Sequence, residues 1–247
     1  MSADRDRREL LITVIADLLE GMHHVAVGAA SPIPAAGAML LRARNEERGK
    51  PPVRISILGS ERHNFFTNGT VELFDCAAQG RIDAFFLGGG QIDGSGNINL
   101  VGIGAYPKTD VRWPGSFGSA YLYHLVPRVI LFREEHSPRV FVPKVDFVSA
   151  AAPTPDAPRR GGPHALLSNM ALFDFVSERG GFRLRSVHPP YTQADIRANT
   201  GFAYEEPEHV PATAGPDPAT LALIRGRIRG ELAETYPAFA RLMAETA

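Results

Sequence analysis

Ile82-Asp83-Ala84-Phe85-Phe86-Leu87-Gly88-Gly89-Gly90 is a mostly apolar run that ends in three glycines. It reads as a buried strand whose chain leaves the sheet in a turn where the backbone is open to close approach. Upstream, Thr70 opens a predicted helix through Ala78, and Val53 to Leu58 is a strand ending in Gly59. Before that, Pro32 and Pro34 mark the start of a helix over Ile33 to Arg48, and His24 to Val27 is a short strand. Strand, helix, strand, helix, strand is the pattern of a parallel sheet with crossover helices. The expected fold class is therefore α/β, an open and mostly parallel sheet with flanking helices.

Downstream the character changes. Gln91 to Val101 reads as an extended stretch bent at Gly94-Ser95-Gly96-Asn97, and Leu122 to Leu125 as part of a helix. Val129 to Phe132, Val140 to Val142 and Val145 to Val148 are predicted strands, and the proline-rich run Ala150 to Pro163 is a loop. Ala171 to Phe175 and Phe182 to Val187 flank Glu178-Arg179-Gly180-Gly181 as a hairpin. Thr192 caps a predicted helix that stops before Gly201, and Leu221 to Met243 is mostly helical with a break at Pro237. At the other end, Leu10, Leu11, Val14, Ile15, Leu18 and Leu19 recur at helical spacing, which predicts an amphipathic first helix. No repeat or linker divides the chain, so one domain over 1–247 is expected, with a helical extension at about 204–247.

The 247 residues carry 26 Lys+Arg against 27 Asp+Glu, a net charge of −1, so no electrostatic argument favours nucleic acid or an anionic membrane as partner. A single cysteine, Cys76, precludes an intrachain disulfide and a cysteine-based zinc site, and suits a reducing, cytoplasmic compartment. Cys76 is expected as a small core residue. Asp4, Asp6 and Glu9 stand where a signal peptide would be basic, and no run reaches the ~18 apolar residues of a membrane span. P-loop and nucleophile-elbow motifs are absent, and the Gly102/Gly104 pair meets Pro107 where a dinucleotide fingerprint needs its third glycine. The histidines show no metal-ligand spacing, so no metal is expected.

What remains is Gly88-Gly89-Gly90-Gln91-Ile92-Asp93-Gly94-Ser95-Gly96-Asn97-Ile98-Asn99. Glycine N–H groups after a strand can face a carbonyl oxygen that turns negative in acyl transfer, and Gln91 offers a further donor. Asp93, Asn97 and Asn99 are suited to tying the bend through side-chain bonds to the backbone. A stabilised glycine-rich turn without chemistry fits the same residues. A Cβ at Gly89 is expected to hinder a ligand more than folding.

The stretch Phe85 to Asn99, Ile103-Gly104-Ala105-Tyr106-Pro107-Lys108, Arg139 to Phe147, Asn169 to Phe175, His188-Pro189-Pro190 and Asn199-Thr200-Gly201-Phe202 together resemble the β subunit of class I coenzyme A transferases, in the glutaconate CoA-transferase branch. The resemblance runs over roughly Gly21 to Phe202. It implies a CoA-transferase-like fold and a partner α subunit of similar fold, usually in an α2β2 assembly. It also implies an acyl-CoA thioester as substrate, no permanently bound cofactor, and attack by a glutamate carboxylate. A carboxylate can take the acyl group and then the CoA thiol, which splits one hard exchange into easier steps. Gly88, Gly89, Gly90, Gln91, Asn97 and Asn99 are the implied substrate-side residues. Family members whose β chain carries the nucleophile have Glu-x-Gly after the strand matching Val53 to Leu58. This sequence instead reads Leu58-Gly59-Ser60-Glu61-Arg62-His63. Gly59 takes the glutamate's place and Glu61, two residues on, is the candidate nucleophile. The similar steroid-ring-opening hydrolases keep theirs in the α subunit, which leaves two readings: CoA transfer or hydrolysis by an αβ enzyme, or a subunit that completes its partner's site without chemistry of its own. Lys108, Arg112 and Lys144 are candidate contacts for CoA phosphates.

Overall fold

The computed structural model describes residues 2–244. In chain order the first elements are α1 (Ser2–Leu18), β1 (His24–Val27), α2 (Pro32–Glu47), β2 (Arg54–Ile57), α3 (Gly69–Ala78) and β3 (Ala84–Leu87). Then come β4 (Gln91–Ile92), β5 (Ile98–Asn99), β6 (Gly102–Ile103), β7 (Val111–Arg112), α4 (Ser119–Leu125), β8 (Arg128–Arg133), β9 (Pro163–Ser168), β10 (Ala171–Val176) and β11 (Gly181–Val187). The chain closes with α5 (Gln193–Asn199), α6 (Pro218–Leu223), a π-helical turn at Ile224–Ile228, α7 (Arg229–Thr235) and α8 (Pro237–Ala244). Two compact units form: one from the described residues up to Cys76, from Arg81–Ala84 and from Ala214 onward, the other from Ala77–Gly80 and Phe85–Thr213.

In the first unit β1 pairs in parallel with β2 and, at Val25↔Ala84, with the start of β3. His24 joins all three segments, with Nδ1 2.7 Å from the Arg81 carbonyl and Nε2 2.8 Å from Ser56 Oγ. It is a satisfied core histidine rather than a metal ligand. Helix α2 begins with Pro32 at a position where the missing N–H costs nothing. Its buried Ala35-Ala36-Gly37-Ala38 face packs close to α1: a Cβ at Gly37 would lie 2.3 Å from Ile15 Cγ2. Helix α1 is buried well beyond the expected stripe, since Glu9, Ile12, Thr13 and Ala16 are covered as well. Glu9 tolerates this because Arg225 grips its carboxylate with two bonds of 2.7 and 2.8 Å.

In the second unit the strand order is β11-β10-β9-β8-β3. β8 and β9 are parallel, while β9, β10 and β11 run antiparallel. The expected hairpin is β10–β11, with Gly180 at φ +62° in its turn. Rings of Phe141, Phe173, Phe175, Phe182, Phe202 and Tyr204 meet edge to face beneath it. Thr192 caps α5 as expected, through a reciprocal bond set with Asp195.

The structure departs from the sequence reading in several places. Val140 to Val142 and Val145 to Val148 are not strands; they form turns and bends that touch the β4–β5 hairpin through single bridges, Ile92↔Phe141 and Ile98↔Ala150. Pro138 and Pro143 lack the N–H groups a continued ladder needs. Strand β9 was hidden by the proline-rich loop before it. Residues 204–213 are extended, bridging β11 at Arg183↔Glu205 and Val187↔Ala212, and helix resumes only at Pro218. Cys76 is half-buried rather than a core residue. No described helix is long and apolar enough to cross a membrane.

Candidate active site

Strand β3 delivers the chain into Gly88-Gly89-Gly90, and the hairpin β4–β5 anchors the residues beyond them. Gly90 N–H donates to the Asn99 carbonyl at 2.8 Å, so that donor is committed. The Gln91 side chain is a tie rather than a free donor arm: Oε1 accepts from Asn99 Nδ2 at 2.7 Å and from Asp146 N–H at 2.9 Å, and Nε2 donates to Asp146 Oδ2 at 3.1 Å. Asp146 also accepts from Gly104 N–H at 2.8 Å. Buried Asn99 further donates to the Gly102 carbonyl at 2.7 Å and accepts from Val101 N–H at 2.9 Å.

The bend itself is organised by buried Asp93. It accepts from Ser95 N–H, Asn97 N–H and Asn97 Nδ2, each at 3.1 Å. Asn97 and Asn99 therefore hold the loop's shape through bonds inside it. Tyr123 closes the far side with its hydroxyl 2.5 Å from the Gly96 carbonyl, and burial pushes its phenol pKa well above the ordinary value.

The glycines line an open cavity of about 430 Å³ with Leu100, Trp113, Pro114, Gly115, Arg133 and Arg139. Trp113 lies against Gly90, where a Cβ would come within 2.2 Å of the indole. A Cβ at Gly89 would stand 2.6 Å from the Gln91 carbonyl oxygen, well inside contact distance, so alanine there forces the loop backbone to shift and strains the fold as well as any ligand. Glu135 sits between the arginines. Arg139 donates to it through Nε at 3.2 Å and Nη2 at 2.5 Å, while Arg133 Nη2 is 3.7 Å away. The Ser137 hydroxyl, then Arg139, hold the Glu135 carboxyl below its usual range against the opposing effect of burial.

Glu61 belongs to the first unit, just past β2. Gly59 has φ +86°, a conformation that costs a residue with a side chain about 1–3 kcal/mol, so this turn is shaped around glycine. Glu61 is exposed, and its N–H donates to Glu234 Oε1 at 2.7 Å. Ser60 Oγ donates to Glu234 Oε2 at 2.7 Å and accepts from His63 N–H at 2.9 Å. Burial works to raise the Glu234 pKa, but bonds from Thr235, Ser60 and Glu61 N–H together hold it below the usual value. The anchored carboxylate at this turn is thus Glu234, on α7. Sequence reading missed it, as it missed Trp113 and Arg133; the chain's single tryptophan was the one available signal. Lys108 and Lys144 are exposed, and Arg112 Nη1 reaches the Val101 carbonyl at 3.1 Å. Among the described residues no group of His, Cys, Asp and Glu is arranged to hold a metal ion.

Residues 54–199, more than half of the chain, match the family model described as Coenzyme A transferase. The chain belongs to the coenzyme A transferase family. It is 32% identical over 164 residues to one subunit of the 3-oxoadipate CoA-transferase of Pseudomonas knackmussii, a match covering 63% of each, slightly under two thirds of that relative's length. The cholesterol ring-cleaving hydrolase IpdB subunit of Rhodococcus jostii is 27% identical over 237 residues, or 89% of this chain and 90% of the relative. The crystal structure of the decarboxylase AibA/AibB superposes with a TM-score of 0.74 at 28% identity, covering 89% of this chain and 93% of that one. The glycine run, the hairpin and Arg139 all lie inside the family match.

Proposed function

We propose that this CoA-transferase-family chain is the β subunit of a heteromeric enzyme that acts on an acyl-CoA thioester, by CoA transfer to an acceptor acid or by hydrolysis when water takes the acceptor's place. Its partner is an α subunit of the same family, paired as α2β2 in the cytoplasm. The observation that carries this reading is the cavity floored by Gly88, Gly89 and Gly90, where side-chain-free backbone borders a space sized for a small ligand. A reacting carbonyl seated there meets backbone dipoles held by the Asp93 and Gln91–Asn99–Asp146 ties, which is how preorganised electrostatic stabilisation is built.

The nucleophilic carboxylate comes from the α subunit. Gly59 occupies the family's glutamate position in a backbone conformation suited to glycine, and Glu61 presents its side chain to solvent. Intact-mass analysis of both chains after incubating the complex with an acyl-CoA tests this. The covalent adduct is expected on the α chain, and Glu61→Ala should retain most activity. An adduct on Glu61, with activity abolished by Glu61→Ala, would overturn the assignment.

A further inference from the structure

The loop after β8 holds one buried ring, His136, 6% exposed. Its first residues run beside the β9–β10 turn: Arg133 stands opposite Ser168 in the parallel ladder, and Asn169 N–H donates to the Glu134 carbonyl at 3.3 Å. The imidazole then spans two hydroxyls, with Nδ1 2.7 Å from Ser168 Oγ and Nε2 2.9 Å from Thr200 Oγ1. These contacts select one tautomer. Thr200 Oγ1 places its single proton on the Ile196 carbonyl at 2.8 Å, so at Nε2 the ring must donate. Burial lowers the imidazole pKa to about 4, so near pH 7 the ring is neutral and Nδ1 is an acceptor. The Ser168 hydroxyl fills it, a shorter contact than its 3.2 Å approach to the Ala171 carbonyl, while Ser168 Oγ accepts from Met170 and Ala171 N–H at 3.2 and 3.1 Å.

Backbone bonds carry this clasp to the glycine run. Phe141 packs edge-on to the His136 ring, centroids 4.5 Å apart at 84°, and its carbonyl accepts from Gly201 N–H at 2.7 Å. On either side, the Val140 carbonyl accepts from Ile92 N–H at 2.8 Å and Val142 N–H donates to the Ile92 carbonyl at 3.0 Å. Val145 and Asp146 N–H then donate to Asp93 Oδ2 and Gln91 Oε1 at 3.4 and 2.9 Å. The flank of β4 opposite β5 is thus held by the segment whose first turn His136 pins.

We propose that His136 is a positioning residue, a role that rests on the acyl-CoA reading above: clasped in its Nε2–H form between Ser168 and Thr200, it fixes residues 137–146 against the β4–β5 hairpin and so holds the Gly88–Gly90 backbone where it polarises the thioester carbonyl. Small displacements of such groups weaken the stabilisation they give, even when the displacement starts far from the reacting atoms.

Isotope-edited infrared spectra of the complex with its α subunit test this, using 2-oxopentyl-CoA labelled with carbon-13 at the ketone. The probe is butyryl-CoA with a methylene between sulfur and carbonyl, so its acyl chain cannot be transferred. The bound ketone is expected to absorb at lower wavenumber than the free probe. His136→Leu should lose most of that shift while still binding the probe, and His136→Gln, which keeps one donor and one acceptor, should restore it. Nitrogen-15 spectra of the histidine-labelled complex should place the His136 proton on Nε2. If His136→Leu fails to assemble, Thr200→Val and Ser168→Ala remove the two bonds singly, and each should lose part of the shift. A bound wild type without a shift, a shift that survives these variants or that His136→Gln fails to restore, or a proton on Nδ1 refutes the proposal and leaves the acyl-CoA reading standing. An assembled His136→Leu complex that loses free CoA along with the probe also refutes it, by showing a general collapse of the site. Failure of the wild type to bind either the probe or free CoA removes the acyl-CoA reading and the proposal together.

Discussion

Two buried histidines make the second unit sensitive to acid. His136 bonds Ser168 Oγ through Nδ1 at 2.7 Å and Thr200 Oγ1 through Nε2 at 2.9 Å, and His188 Nδ1 bonds Thr213 Oγ1 at 2.7 Å. Burial, with the charge of His188 as a second cause at His136, lowers both pKa values from 6.5 to about 4. Above pH 6.5 both states are neutral and nothing is lost. Between pH 6.5 and about 4 the unfolded chain binds protons that the folded chain refuses, so stability falls as pH falls. At pH 5 the linkage relation gives about 2 kcal/mol per histidine, and about 4 kcal/mol for both if they act independently, against the 5–15 kcal/mol of a typical domain. His24, whose pKa burial also lowers, adds to the same slope. Urea unfolding at pH 7 and pH 5 measures the effect. His136→Gln should be less stable than the wild type at pH 7 yet lose about 2 kcal/mol less on going to pH 5. A variant whose loss between the two pH values equals the wild type's would refute the assignment of a neutral, buried imidazole at 136.

Other perturbations test the two loops. Gly90→Ala should push Trp113 aside at a cost of about 1–3 kcal/mol; because Trp113 is the chain's single tryptophan, a shifted emission maximum reports the displacement, and an unchanged spectrum with full stability would contradict the packing. Glu234→Gln should weaken charge-assisted bonds to Ser60 and Glu61 and speed amide hydrogen exchange at Glu61 and His63. Unaltered exchange there would show that α7 does not hold the turn.

Much of the fold was legible because its signals are local. The apolar strands ending in glycine, the proline at the start of α2, the Thr192 cap and the Gly180 hairpin are each written within a few residues, where backbone sterics and one hydrogen bond decide the outcome. The glycine run and the Asp93–Asn97 bend were legible for the same reason. Val140 to Val148 misled because Val140, Phe141, Val142 and Val145 are buried beside a hairpin from elsewhere in the chain, so burial stood in for strand pairing. The tertiary structure alone decided the rest. It placed Glu234 on a turn 174 residues earlier in sequence, laid Trp113 over Gly90, put Arg133 and Arg139 on one cavity wall, and buried His136 and His188 in neutral form. No short window encodes such meetings, because each depends on where packing of the whole core brings distant segments, and the charge and proton affinity of a side chain depend on the neighbours it meets there.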